Sequence, residues 1–241
     1  MIAILTDFGR SEYVGVMKGV IYSIYPKAII NDLYNHVNPQ NIKEGAWILL
    51  QNYYFYPKGT IFLCVVDPGV GGKRNSIAIQ TKKYYFVGPD NGLMYPATNK
   101  DGIKNVFILS NKGASSTFHG RDVFAKAAGM LEKISNIEKV GKQGKLKNKL
   151  NFYLKDRTGE IVRIDDFGNI ITNLPTLEKN NYNITYKNKK LQLLFYKTYE
   201  AAKPNKLFLI KGSSNTLEIS IKNNKAINKF KVNTGDKITI E

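Results

Sequence analysis

Cysteine is almost missing from this sequence: Cys64 is the single example among 241 residues. One thiol excludes a disulfide framework and any multi-thiolate metal site. Its place inside the apolar run TIFLCVV, residues 60–66, reads as buried strand filler. Histidine is nearly as scarce, with only His36 and His119, so a zinc centre would need mostly carboxylates and no metal is expected. No apolar stretch reaches the ~20 residues that a membrane-spanning helix requires. The N-terminal MIAILTDFG has neither the basic region nor the cleavage site of a signal peptide. A cytoplasmic protein with no membrane partner is therefore expected. The serine-hydrolase elbow G-x-S-x-G, the nucleotide loop G-x-x-x-x-G-K-[ST] and the zinc motif H-E-x-x-H are absent as well.

Acidic residues are also few, 19 against 36 Lys and Arg, for a net charge of +17. Such an excess suits a polyanion partner. Its distribution argues against one, because the lysines scatter among Asn, Tyr and Ile, as in LKNKLNFYLK and NNYNITYKNKK, without an Arg-rich stripe or an aromatic RNA-binding signature. A nucleic-acid partner is not expected, although a basic binding module without turnover stays open on charge alone.

What is present is organised in two parts. IAILT is a short apolar strand, EYVGVMKGVIYSIY an amphipathic helix, and the alternation continues through KAIINDL, NIKEGAWILLQNYYF and TIFLCVV. Strand–helix alternation predicts an N-terminal, largely parallel α/β sandwich domain. SIAIQT and YYFVG read as a hairpin turning at Lys82 and Lys83, followed by a strand at 105–109 and a helix from about Arg121 to Lys133. Beyond a lysine-rich stretch of no clear period, short strands separated by Asn, Gly and Lys predict a C-terminal β-barrel domain with no substantial helix. The expected boundaries are an α/β domain over 1–140, a linker over 141–155 and the barrel over 156–241.

In an open α/β sheet, polar side chains gather at the carboxyl ends of the strands. Asp7, Asp32, Asp67 and Asp90 each fall there, and any one of them is also ordinary turn chemistry. Asp67 differs because an apolar strand leads into it and PGVGG follows, a backbone that lets a ligand approach closely. Arg74 lies across that glycine turn, within reach of the carboxylate. His119, in STFHGRD, stands just before a predicted helix whose start Ser115, Ser116 or Thr117 would cap. An Asp, an Arg and a His together suit the orientation and deprotonation of a water.

TDFG with YVGVMKGVIYSIYP, DPGVG followed by Arg74, VGPDNGL, STFHGRDVFA and IDDFGNIITNL, in this order, resemble the S-adenosylmethionine hydrolases, or SAM hydroxide adenosyltransferases, relatives of the SAM-dependent chlorinase and fluorinase. The resemblance implies hydrolysis of S-adenosylmethionine to adenosine and methionine, with no cofactor because S-adenosylmethionine is the substrate. It implies a homotrimer whose sites lie between one subunit's N-terminal domain and its neighbour's C-terminal domain. The family's catalytic triad falls on Asp67, Arg74 and His119, and its ribose carboxylate on Asp7. The adenine and methionine contacts fall on Asp166 and Asn169, and a later serine motif on Gly212, Ser213 and Ser214. Glu218 and the backbone near Ile221 complete the expected substrate-binding set. A halogenase on the same fold is the alternative. The family's halogenases lack this triad, and a carboxylate beside the nucleophile site repels a halide.

Overall fold

The computed structural model describes residues 1–177 and 179–241. The chain divides into two compact units, Met1–Asn151 and Phe152–Glu241.

The first unit carries a seven-stranded sheet in the order β2-β1-β3-β5-β4-β6-β7, formed by Ile2–Thr6 (β1), Ile30–Tyr34 (β2), Ile61–Val65 (β3), Ser76–Thr81 (β4), Tyr85–Pro89 (β5), Ile103–Ile108 (β6) and Lys142–Gln143 (β7). The β1–β2, β1–β3 and β3–β5 pairs are parallel and the β4 and β7 pairings antiparallel, so five strands run one way. Every residue of β1 and of β3 is buried, which is why these strands are unbroken apolar runs rather than alternating ones. Ile2 and Ile4 share a core with the helices Tyr13–Ile24 (α1) and Lys126–Ile134 (α4). Ala3 and Leu5, turned by the pleat to the opposite face, are equally buried. There Ile42–Asn52 (α2) and Tyr95–Asp101 (α3) pack together. α1 buries Val14, Met17 and Ile21, a spacing that keeps them on one helical face.

The hairpin expected at Lys82 and Lys83 is the β4–β5 connection, closed by the Thr81 amide donating to the Tyr84 carbonyl at 2.9 Å. Two local expectations change. Asp32 stands inside β2 rather than beyond it, and pairs with Lys18 Nζ at 2.6 Å. The lysine-rich stretch after α4 keeps company with the first unit: its residues 142–143 form the sheet's edge strand, and the amides of Lys147 and Asn148 donate to the Asp90 carboxylate.

The second unit is antiparallel: Thr158–Ile164 (β8), Ile170–Pro175 (β9), Asn181–Tyr186 (β10), Lys189–Leu194 (β11), Leu207–Lys211 (β12), Thr216–Ile221 (β13) and Lys237–Ile240 (β14), in the order β11-β10-β14-β8-β9-β13-β12. A bridge between Phe195 and Leu209 joins its two ends into a nearly closed barrel. β10 shows strict alternation, with Tyr182, Ile184 and Tyr186 inside and Asn181, Asn183 and Thr185 outside. A single helical turn, Ala226–Lys229 (α5), precedes β14. Among the described residues no helix is long and apolar enough to cross a membrane.

Candidate active site

β1, β3 and β5 are parallel neighbours, so the loops leaving them share one edge. Asp7 leaves β1, Asp67 follows β3 by two residues, and Asp90 follows β5 directly. The DPGVGG turn after β3 requires glycine at 71, where φ is +75° and an added Cβ would lie 2.2 Å from the Ser116 carbonyl oxygen. This close approach lays the Asp67 loop against the segment that carries His119.

The turn folds Arg74 back onto Asp67. Nε donates to Oδ1 at 3.0 Å and Nη2 donates to Oδ2, a two-pronged guanidinium–carboxylate pair. The same Nη2 lies 2.9 Å from His119 Nδ1, and Nη1 donates to Ser76 Oγ at 2.7 Å. Phe124 covers the guanidinium, its ring centroid 5.3 Å from Cζ. The side chains of Asp67 and Arg74 are 5% and 9% exposed, and His119 is buried too, so bulk water screens these interactions little.

A guanidinium has donors only, so His119 Nδ1 is the acceptor and the neutral ring carries its proton on Nε2. Burial, and then the Arg74 charge, lower the His119 pKa, which keeps the ring neutral at pH 7. His119 begins a π-helical turn over Gly120–Ala125 that runs into α4, a local irregularity frequent at functional sites. The capping expected from Ser115, Ser116 or Thr117 takes another form: the Asp122 carboxylate accepts the Ser115 amide at 2.9 Å. Arg121 grips Asp122 with two hydrogen bonds and brings its pKa down to about 2.

Asp67 and His119 line a cavity of about 630 Å³ in the first unit, together with Asp7, Gln40 and an aromatic wall of Phe8, Tyr13 and Phe118. The three rings meet edge to face with centroids 5.0–6.0 Å apart. Arg74 is not among the lining residues and stands behind the two that are. Asp7 Oδ2 accepts the Gln40 amide at 2.8 Å, and burial raises the Asp7 pKa.

The other predicted site residues belong to the second unit. Asp166, Asn169, Ser213, Glu218 and Ile221 line a hollow of about 910 Å³ there. Asn169 is fixed by Asp165, which accepts its backbone amide at 2.8 Å and its Nδ2 at 3.0 Å. Glu218 is buried beneath Gly212, so close that a Cβ on residue 212 would lie 1.6 Å from Oε1. Burial, and next the Asp165 charge, raise its pKa to about 7, and the Tyr199 hydroxyl donates to Oε2 at 3.4 Å.

Sequence reasoning overlooked Ser76, Asp165, Tyr199 and the Phe8–Tyr13–Phe118 wall. Ser76 carried a signal, since it lies two residues from Arg74 at the start of an extended strand, where i and i+2 share a face. Asp165 adjoins Asp166, and strand spacing alone does not tell which of two neighbouring carboxylates turns to Asn169. Tyr199 sits in a loop with no periodicity to read. Among the described residues, no three His, Cys, Asp or Glu side chains converge as a metal-ligand set.

Residues 2–141 match the family model of the SAM hydroxide adenosyltransferase N-terminal domain, and residues 159–239 match that of the C-terminal domain. An (R)-S-adenosyl-L-methionine hydrolase of Methanocaldococcus jannaschii is 38% identical over 238 residues, covering 91% of this chain and 88% of its own. A fluorinase of Actinopolyspora mzabensis is 24% identical over 212 residues, 72% of this chain and 71% of its own. Among solved structures, an uncharacterized conserved protein from Thermotoga maritima is similar over 100% of both chains, with a TM-score of 0.92 and 32% identity.

Proposed function

This chain belongs to the SAM hydroxide adenosyltransferase family, and from that premise we propose that it hydrolyses S-adenosyl-L-methionine to adenosine and L-methionine, with Asp67, Arg74 and His119 acting on the attacking water. The observation that carries the reading is the guanidinium shared between Asp67 and His119 at the wall of the first unit's cavity. Sulfonium is a good leaving group and needs no acid, so the protein's task is to aim and activate a nucleophile. A water held against the Asp67 carboxylate accepts a hydrogen bond from His119 Nε2–H, which leaves an oxygen lone pair for C5′. As the C5′–O bond forms, the C5′–S bond breaks and its electron pair stays on sulfur as the thioether of methionine. The water's proton passes to Asp67, because the neutral His119 has Nδ1 occupied by Arg74 and Nε2 already protonated. Orientation of this kind lowers a barrier by as much as ~7–11 kcal/mol, against about 10²–10⁴-fold for proton transfer to a placed base.

The same geometry argues against halide as the nucleophile, since the buried Asp67 carboxylate would face an anion at short range. We assign Asp7 to the ribose hydroxyls. Asp166, Asn169, Ser213, Glu218 and the backbone at Ile221 are assigned to the rest of the substrate. In this reading a homotrimer forms each site from the first unit of one copy and the second unit of another, without cofactor or metal, in the cytoplasm and with no nucleic-acid partner.

Incubating purified protein with S-adenosylmethionine in H₂¹⁸O, with and without chloride, tests the reaction. Mass spectrometry should find methionine and adenosine carrying one ¹⁸O in both samples. 5′-Chloroadenosine as the main product would reassign the chain as a halogenase, and unconsumed substrate would leave a binding module. Light scattering at micromolar concentration should give three times the chain mass.

A further inference from the structure

The loop from Asp67 to Arg74, DPGVGGKR, is rich in glycine, so its own backbone imposes little on the placement of carboxylate and guanidinium. Its ends are gripped from outside. On the Asp67 side, Asn91 Nδ2 donates to the Val66 carbonyl at 2.8 Å. On the Arg74 side, the Asp90 amide donates to the Asn75 carbonyl at 2.9 Å. Asn91 has one allowed amide orientation, because its Oδ1 accepts the Leu93 amide at 3.1 Å. Two adjacent residues in the turn after β5 thus hold both ends of the loop that carries Asp67 and Arg74.

The turn is itself anchored. Asp90 is 1% exposed, and its carboxylate accepts the amides of Lys147 at 2.9 Å and Asn148 at 3.0 Å. Its carbonyl accepts Asn148 Nδ2 at 2.7 Å. At Gly88 an added Cβ would lie 2.2 Å from the Cys64 carbonyl oxygen, so β5 lies flush against β3 just before the turn. A buried carboxylate with its oxygens filled by backbone amides has a structural task, and here the task ends at the Asp67 loop.

We propose that Asp90 and Asn91 are positioning residues for the hydrolysis, and that the lysine-rich segment at 147–148 acts on the reaction through them. The inference rests on the roles proposed above for Asp67, Arg74 and His119. Nothing in the turn needs to touch substrate, so its loosening should slow the chemical step and leave binding alone. A misplacement of about 1 Å costs on the order of 10²-fold in rate.

Asn91→Asp keeps the shape but loses the donor to Val66. Its kcat should fall about 10–100-fold, with KM and the Kd for adenosine within about twofold of wild type. The ¹⁵N resonance of His119 Nδ1 should move, because the Arg74 that donates to it shifts with the loop. Asn148→Ala removes one exposed side chain's bond to the Asp90 carbonyl and should lower kcat about threefold to tenfold, again at constant KM. Wild-type kcat in a folded Asn91→Asp would overturn the proposal. So would a joint fall of kcat and adenosine affinity in Asn91→Asp with Asn148→Ala unaltered, the pattern of plain structural damage. Should Asn91→Asp fail to fold, Asn148→Ala decides alone. Asp67→Asn run in parallel separates the two readings: if it keeps wild-type kcat, the proposed function fails. If it is inactive while both turn variants are unimpaired, only this inference fails.

Discussion

The two units hold their buried carboxylates in opposite ways. In the first, Asp67 is clasped by Arg74, and the guanidinium passes on to His119 and Ser76, so charge is compensated at fixed geometry. In the second, Glu218 is pressed against Gly212 near Asp165, with a long hydrogen bond from Tyr199, and burial, against the weaker pull of Arg163, brings its pKa to about 7. One carboxylate is fixed in place by a cation at the wall of a cavity. The other is a poised group, whose charge state changes near neutral pH. The difference teaches that the same burial can be met in two ways, by a bidentate cation that fixes the carboxylate's geometry or, at Glu218, by a rise in pKa that burial and the Asp165 charge produce.

The comparison breaks most visibly at Asp67. Asp67→Asn preserves shape but removes the proton acceptor, and kcat should fall by about 10²–10⁴-fold while adenosine still binds in calorimetry. Wild-type turnover would place the base elsewhere. Arg74→Lys comes next. An ammonium is a point charge without the planar fork, so it cannot hold Asp67, Ser76 and His119 together. An expected loss of roughly 10²-fold in kcat should accompany a shift of the acid limb of the pH–rate profile to higher pH, because His119 Nδ1 is then open to protonation.

Gly212→Ala probes the second unit. With a Cβ 1.6 Å from Glu218 Oε1, the Glu218 side chain must move, at a cost of about 1–3 kcal/mol in stability by thermal melting. KM for S-adenosylmethionine should rise. An unchanged KM would free Glu218 from substrate binding. The smallest effect on turnover belongs to Glu218→Gln, which is read in stability. Glu218 keeps its proton to about pH 7, against 4.5 for an ordinary glutamate. Between those values the folded chain binds the extra proton, and stability falls as pH rises. Gln removes that slope. Its Tm should exceed wild type by several degrees at pH 8 and match it at pH 4; equal values at both would contradict the poised carboxyl.

Much of the fold was legible because its signals are local. Five buried residues in a row wrote β1 and β3, and alternation wrote β10. Asp32 was misplaced because an exposed edge strand, β2, tolerates a polar residue that a central strand does not. The stretch at 141–151 read as a linker because the β7 pairing and the Lys147 and Asn148 amides that help tie it to the first unit are backbone groups, which any side chain would offer equally. Asp67, Arg74 and His119 stood out by motif, but Ser76 and the aromatic wall gained meaning only from where the turns set them.

By itself the sequence determined the alternation of strand and helix, the later run of short strands, and the residue types and order that place the chain in its family. Periodicity and glycine placement are properties of neighbours in the chain, and they need no tertiary context. Tertiary structure alone decided that one guanidinium serves Asp67, Ser76 and His119 at once, which sets the imidazole tautomer. It also decided that Glu218 lies beneath Gly212 and titrates near neutrality. Both depend on distances between residues far apart in the chain, and hydrogen-bond direction and desolvation follow from such distances.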